Sequence, residues 1–267
     1  DLELAEKTAE SLGGGTVALG LDVTHRASFE SFLAETERQL GPVDAVINNA
    51  GITPVAPFVD EGEDSIRRQI EINLIGVITG TQLAIERMRP RGSGYIVNIA
   101  SQAGKAGIPG IATYSATKHA VVGLSESVRG ELRGRNVEVS CVMPTVVNTE
   151  LTAGVGQRWV KPVEATDVAE AIAEALEVPR FDVYVPKSNG ALLRAAYLMP
   201  RSAAEWVGRT MGTDKLMTEV DHVARAAYED RAAHSTGEGA ADERPLNEAP
   251  SSDAADADRA PAEDRAG

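Results

Sequence analysis

GYIVNIASQAGKAGIPGIATYSATKHAVVGLSESVRGELRGRNVEVSCVMP, residues Gly94–Pro144, reads as a strand, a helix and a second strand. Gly94–Ser101 and Val137–Pro144 are almost unbroken apolar runs. Thr113–Arg133 between them keeps a helical spacing. A strand apolar on both sides needs cover on both faces, and two such strands joined by a helix lie parallel in one sheet.

The pattern extends outward from this unit. Upstream, VDAVINNAG (Val43–Gly51) is another apolar run, followed by a long helix over about Glu63–Met88. Farther upstream, a helix over residues 1–12 stops at Gly13-Gly14-Gly15. TVALGLDV (Thr16–Val23) then reads as a buried strand, and Ala27–Leu40 as a helix. Downstream, a helix at Ala165–Glu177 precedes a short strand, Asp182–Pro186. Residues 189–230 look helical, with a break at Pro200. Strands alternating with helices predict a doubly wound parallel α/β sheet of Rossmann type, with right-handed crossovers.

Composition narrows the possibilities. The 267 residues carry a formal net charge of −14, which disfavours a nucleic-acid partner. The single cysteine, Cys141, excludes a disulfide framework and sits in an apolar strand. Four histidines show no metal-ligand spacing, so no metal site is expected. No apolar run is long enough for a transmembrane segment, and the chain reads as cytoplasmic. From His234 to Gly267 there are nine acids, three bases and one large apolar residue, Leu246. That composition predicts a disordered acidic tail. The organisation expected is a sheet domain over 1–187, a helical extension over 188–233 and the tail over 234–267.

Chemistry concentrates on Ser101, Tyr114 and Lys118. Tyr114 and Lys118 are four residues apart on one helix, so they share a face. An ammonium beside a phenol is expected to lower its pKa and suit it to proton transfer. Ser101 ends a strand, at the carboxyl edge where α/β sheets bind ligands. Taken singly, each has a plainer reading: an ordinary helix surface for Tyr114 and Lys118, a turn for Ser101.

Together with N-N-A-G at Asn48–Gly51, Asn73 in N-L-I-G, N-I-A-S ending at Ser101 and Y-S-A-T-K at Tyr114–Lys118, the chain resembles the short-chain dehydrogenase/reductase family over roughly residues 1–187. The resemblance implies NAD or NADP as cofactor and a small-molecule alcohol or ketone as substrate. It makes Tyr114 the general acid/base, helped by Lys118, which also holds the nicotinamide ribose. Ser101 orients the substrate oxygen, and Asn73 anchors a water leading to Lys118. Asp22 and Val23 would meet the adenine; Asn48, Ala50 and Gly51 would line the cofactor; Ile99 would lie beneath the nicotinamide. Pro144, Val147 and Thr149 would reach the carboxamide and phosphates, although Thr145 stands where the family has glycine. Asn73 facing water and Asp22 starting a turn are the plain alternatives.

The family's opening T-G-x-x-x-G-x-G turn is not in the chain. Gly13-Gly14-Gly15 follows a helix and precedes a strand, the wrong order for a phosphate cradle. The expectations are therefore a fragment of a longer enzyme, an open N-terminal sheet edge, weak dinucleotide binding and a cofactor preference that cannot be read. A non-catalytic scaffold derived from the same fold is the alternative function; an epimerase or dehydratase ranks below both. Glu150–Pro162 and the helices from Asn189 are expected to form a lid. Its Leu192, Leu193, Tyr197, Leu198, Met199 and Trp206 suit a hydrophobic substrate, or else packing on the sheet. Pairing through the two long helices into a homodimer or homotetramer is implied by the resemblance.

Overall fold

Four parallel strands, β1 (Ala45–Asn48), β2 (Gly94–Ile99), β3 (Val137–Pro144) and β4 (Asp182–Val185), lie side by side in chain order. The computed structural model describes residues 1–155, 161–210, 212, 217–218 and 220–235. The acidic tail beyond 235 and part of the expected lid fall outside them. The helices are α1 (Leu2–Leu12), α2 (Arg26–Leu40), α3 (Glu63–Ile70), α4 (Gly76–Met88), α5 (Ala112–Glu131), α6 (Ala165–Glu177), α7 (Ser188–Leu198), α8 (Arg201–Thr210) and α9 (His222–Ala233).

The near-continuous apolar strands are explained by cover on both faces. Ile96 and Val139 pack against Phe29, Leu33, Leu83 and Met88 of α2 and α4. Farther along the same face, Cys141, Met143 and Tyr184 meet Val121 and Val122 of α5. Residues of the opposite parity, Val97, Ile99, Val142, Val183 and Val185, face α6 through Ala171 and Ala175. The strands step across the sheet in one direction, yet α4 and α5 cover one face and α6 the other. The β3–α6–β4 connection therefore has the opposite hand to the two before it, and the expectation of uniformly right-handed crossovers fails there.

Thr16–Val23 is not a strand. Its apolar pattern is strand-like, but a strand requires a hydrogen-bonded neighbour, and β1 forms the end of the sheet. Val17 and Leu21 are exposed, as is Ile47 on β1, and α1 has no buried residue. Val23 packs against the start of α4: a side chain at Gly76 would meet its Cβ at 3.0 Å.

The expected long helix at 63–88 is present but interrupted. Glu71–Ile75 widens into a π turn between α3 and α4, with Asn73 at its centre. Such turns re-aim a side chain without ending the helix. Of the apolar residues in the C-terminal extension, Leu193 packs against the sheet. Leu192, Leu198, Met199 and Trp206 are exposed. The helix that reaches the site is α9.

Candidate active site

The carboxyl end of β2 is where the chemistry gathers. After Ile99 and Ala100, Ser101 caps a short 3-10 turn at Gln102–Gly104, its Oγ accepting from Ala103 N at 3.1 Å. A Cβ on Gly104 would lie 2.6 Å from the carbonyl oxygen of Lys118, so glycine allows α5 to press directly on this turn. That contact brings Ser101 to Tyr114.

Lys118 is buried, at 3% exposure, and donates from Nζ to the Ile99 carbonyl at 2.8 Å. Its Nζ stands 5.6 Å from the centre of the Tyr114 ring. Gly51 borders the same space: a Cβ there would come within 3.3 Å of Asn73 Oδ1 and 3.5 Å of Lys118 Nζ. Asn73 is fully buried. Its Oδ1 accepts from Ile52 N and its Nδ2 donates to Ile52 O, both at 2.8 Å. A second Nδ2 contact reaches Thr117 Oγ1 at 3.4 Å, and Thr117 in turn donates to the Tyr114 carbonyl. Through these contacts the Asn73 side chain braces the backbone beside Gly51.

The electrostatics reverse one expectation. Burial pushes the Tyr114 phenol above its ordinary pKa; the hydroxyls of Ser101 and then Thr53 offset this only in part. Burial also brings the Lys118 ammonium down to about 8. The lowered tyrosine pKa expected from a neighbouring cation does not appear: burial outweighs what the Ser101 and Thr53 hydroxyls offer.

The other expected positions divide. Ile99 supplies its carbonyl to Lys118, while its side chain packs in the core facing α6. Gly51 borders Asn73 and Lys118, but the Asn48 side chain points into the core. Asn48 Nδ2 donates to Asn98 Oδ1 at 2.8 Å, and Asn98 donates to Ser125, tying β1, β2 and α5 together. The Asp22 carboxylate accepts from Thr24 N and Oγ1 and contacts His25 at the start of α2. These contacts outweigh its desolvation and hold its carboxyl below the usual range. Pro144 ends β3, Val147 bridges to Val163, and Thr149 caps the 3-10 turn at Glu150–Thr152.

Four residues with no sequence motif complete the site: Thr53, Arg225, Tyr228 and Glu229. Arg225, fully buried on α9, donates to the carbonyls of Leu151 (2.9 Å), Ala153 (3.1 Å) and Thr53, and pairs with Glu229 at 2.7 Å. Tyr228 Oη accepts from Thr53 N at 2.7 Å, and Glu229 accepts from Val55 N at 3.3 Å. The loop after β1 and the loop after β3 are therefore held together by one helix.

This arrangement is that of a known family. A model described as short chain dehydrogenase matches residues 1–158. The chain is 31% identical over 199 residues to carbonyl reductase family member 4 of Xenopus tropicalis, covering 72% of this chain and 84% of that protein. It is 32% identical, with the same coverage, to 3-oxoacyl-[acyl-carrier-protein] reductase of Rattus norvegicus. Among solved structures, a short chain dehydrogenase/reductase from Burkholderia phymatum in complex with NAD superposes with a TM-score of 0.66 at 25% identity, over 73% of this chain and 80% of that one.

The chain belongs to the short-chain dehydrogenase/reductase family and is an oxidoreductase of that family.

The residues present fit one half of a nicotinamide dinucleotide. Gly51, where a side chain would press on Asn73 and Lys118, and the Lys118 ammonium suit the nicotinamide ribose. A phosphate cradle is not found among the described residues. Gly13, Gly14 and Gly15 take positive φ values, but a Cβ at any of them would meet nothing within 4 Å, and they end α1 rather than open a helix.

Proposed function

We propose that this protein interconverts a secondary alcohol and a ketone, with Tyr114 as the proton donor and acceptor. The observation that carries this reading is the meeting of Ser101, Tyr114 and Lys118 at the carboxyl end of β2, with the Ser101 hydroxyl beside the phenol. A nicotinamide dinucleotide supplies the hydride chemistry when bound. Ser101 donates to the substrate oxygen and holds it at the phenol. Tyr114, neutral at pH 7, gives its proton to that oxygen during ketone reduction. The phenolate left behind is stabilised by the Ser101 and Thr53 hydroxyls and by the Lys118 charge. Lys118 also holds the ribose hydroxyls, and Asn73 keeps the Ile52 peptide and Gly51 in place beside it.

The solved relative holds NAD, so NAD is the first cofactor to test, with NADP beside it. The test is turnover of a ketone panel with NADH and NADPH, followed by Tyr114→Phe. The variant should lose about 10² to 10⁴-fold in kcat with its fold intact. Near-normal turnover by the variant would remove Tyr114 from the chemistry. The lack of a glycine turn among the described residues favours a second reading, a non-catalytic scaffold. No turnover by the parent chain with either cofactor is its signature.

A further inference from the structure

The helix that carries Tyr114 starts without a cap of its own. The N-cap position of α5 is Ile111, which makes no side-chain hydrogen bond, and the first turn holds no acid. A helix N-terminus leaves backbone N–H groups without partners and favours a nearby negative charge. Tyr114 lies in that first turn, so a loose start would let the phenol drift from Ser101. A carboxylate from elsewhere stands here. Glu61, in the loop between β1 and α3, accepts from Thr113 Oγ1 with its Oε2 at 2.6 Å. Its Oε1 accepts from Nε2 of Gln69 on α3. Thr113 and Gln69 are buried, and Gln69 Oε1 has no hydrogen-bond partner among the described residues. The same loop meets this region twice more. Ala56 N donates to the Gly110 carbonyl at 3.0 Å, and Val55 packs in the cluster that holds Ile111 and Tyr114. It therefore grips the chain on both sides of the uncapped Ile111.

We propose that Glu61 is a positioning residue for Tyr114: through Thr113 its carboxylate steadies the uncapped first turn of α5 and holds the phenol at Ser101. This rests on the proposed reading of Tyr114 as the proton donor and acceptor. A hydrogen bond to a carboxylate is stronger than one between neutral groups, which suits a contact that must fix a helix end. The precision matters because a misplacement of about 1 Å at a reacting centre can cost 10²-fold in rate. Glutamine can take over the task. Its carbonyl oxygen can accept from Thr113, and its amide can give to Gln69 Oε1 once the Gln69 amide turns over.

The experiment compares the full chain with Glu61→Ala, Glu61→Gln and Thr113→Val, the last removing a single hydroxyl. The first readout is kcat and KM for a ketone that the parent turns over. The second is the NMR ring signals of 13C-tyrosine-labelled protein at neutral pH, with Tyr114 assigned by the signal missing from Tyr114→Phe. Glu61→Ala and Thr113→Val should each lose about ten- to hundredfold in kcat with KM nearly unchanged. In both, the Tyr114 signal should move or broaden. Glu61→Gln should recover most of the rate and return the signal to its parental position. Where Glu61→Ala fails to fold, Thr113→Val and Glu61→Gln carry the same comparison. An unmoved Tyr114 signal in Glu61→Ala and Thr113→Val would show that the contact only adds stability, and it overturns the inference whatever kcat does. A parental kcat in both variants overturns it too, as does a Glu61→Gln protein no better than Glu61→Ala. If Tyr114→Phe abolishes turnover in those cases, the reading of Tyr114 survives. A parent without turnover whose Tyr114 signal moves in Glu61→Ala and Thr113→Val and returns in Glu61→Gln keeps the positioning role and loses the hydride-transfer reading. Neither turnover nor a moving signal overturns both.

Discussion

Asn73 pairs with Ile52 as one strand residue pairs with another: its amide oxygen takes the Ile52 N–H and its amide nitrogen gives to the Ile52 carbonyl, both at 2.8 Å. The pair is buried, and it fixes the chain between Gly51 and Thr53, the two residues that border Lys118 and Tyr114. Asn73→Ala would strand both backbone groups away from water. The expected cost is about 2 to 4 kcal/mol in urea unfolding, with the m-value unchanged. A cost near zero would mean that the Ile52 peptide finds other partners.

Lys118 makes stability depend on pH with a definite sign. Its folded pKa, about 8, lies below the ordinary 10.5. Below pH 8 both states carry the proton and the folded state bears the full penalty of a buried charge. Between 8 and 10.5 the unfolded chain holds more protons, so stability rises with pH as this penalty is relieved. The stability of the parent relative to Lys118→Met should therefore climb over that window, by about 3 kcal/mol in total. Tyr114 and Cys141, whose raised pKa values act in the opposite sense, are present in both proteins. A difference that stays flat with pH would show that the lysine keeps its ordinary proton affinity.

Tyr114 makes the two reaction directions respond differently to pH. Its phenol is raised above 10.0 by burial, so its resting form is the neutral donor. Ketone reduction should be level across neutral pH. Alcohol oxidation, which needs the phenolate as acceptor, should keep rising toward alkaline pH. Initial rates in both directions at fixed ionic strength check this, and an oxidation optimum near neutrality would contradict it.

Arg225 holds three carbonyls and a carboxylate from a fully buried position. Arg225→Met leaves Glu229 without its partner and the carbonyls without a donor. The expected loss is about 3 to 5 kcal/mol, read from urea unfolding. Adding Glu229→Gln should recover part of it, because the carboxylate left without its ion-pair partner is then removed.

Cofactor binding should reflect the half-site. Contacts to the nicotinamide ribose are in place and a phosphate turn is not found among the described residues. Reduced nicotinamide mononucleotide should then bind this chain within about threefold of NADH, a difference under about 1 kcal/mol. Fluorescence titration with both compounds decides it. Much tighter NADH binding would locate a pyrophosphate site elsewhere in the chain.

Much of this was legible in the sequence, for identifiable reasons. β2, α5 and β3 fall where the apolar runs and helical spacing put them, since those patterns reflect burial that the fold supplies. Ser101, Tyr114 and Lys118 are close in the chain, and one strand and one helix suffice to bring them together. Thr16–Val23 misleads because a strand depends on its neighbour as well as on its own residues. How deeply a phenol is buried cannot be read from spacing, which is why the Tyr114 shift has the opposite direction to the one expected. Arg225 and Tyr228 carry no motif; their partner Thr53 is more than 170 residues away in the chain. The hand of the third crossover is likewise fixed by which face α6 covers, a choice made only when the sheet is assembled.

The grip of α9 on two distant loops has a consequence for how the protein matures. The sheet, with Ser101, Tyr114 and Lys118 in register, can assemble from residues synthesised long before Arg225 leaves the ribosome. A growing chain at that stage would own its reactive phenol before anything tied the loop after β1 to the loop after β3. That clasp would arrive last, with the final described helix.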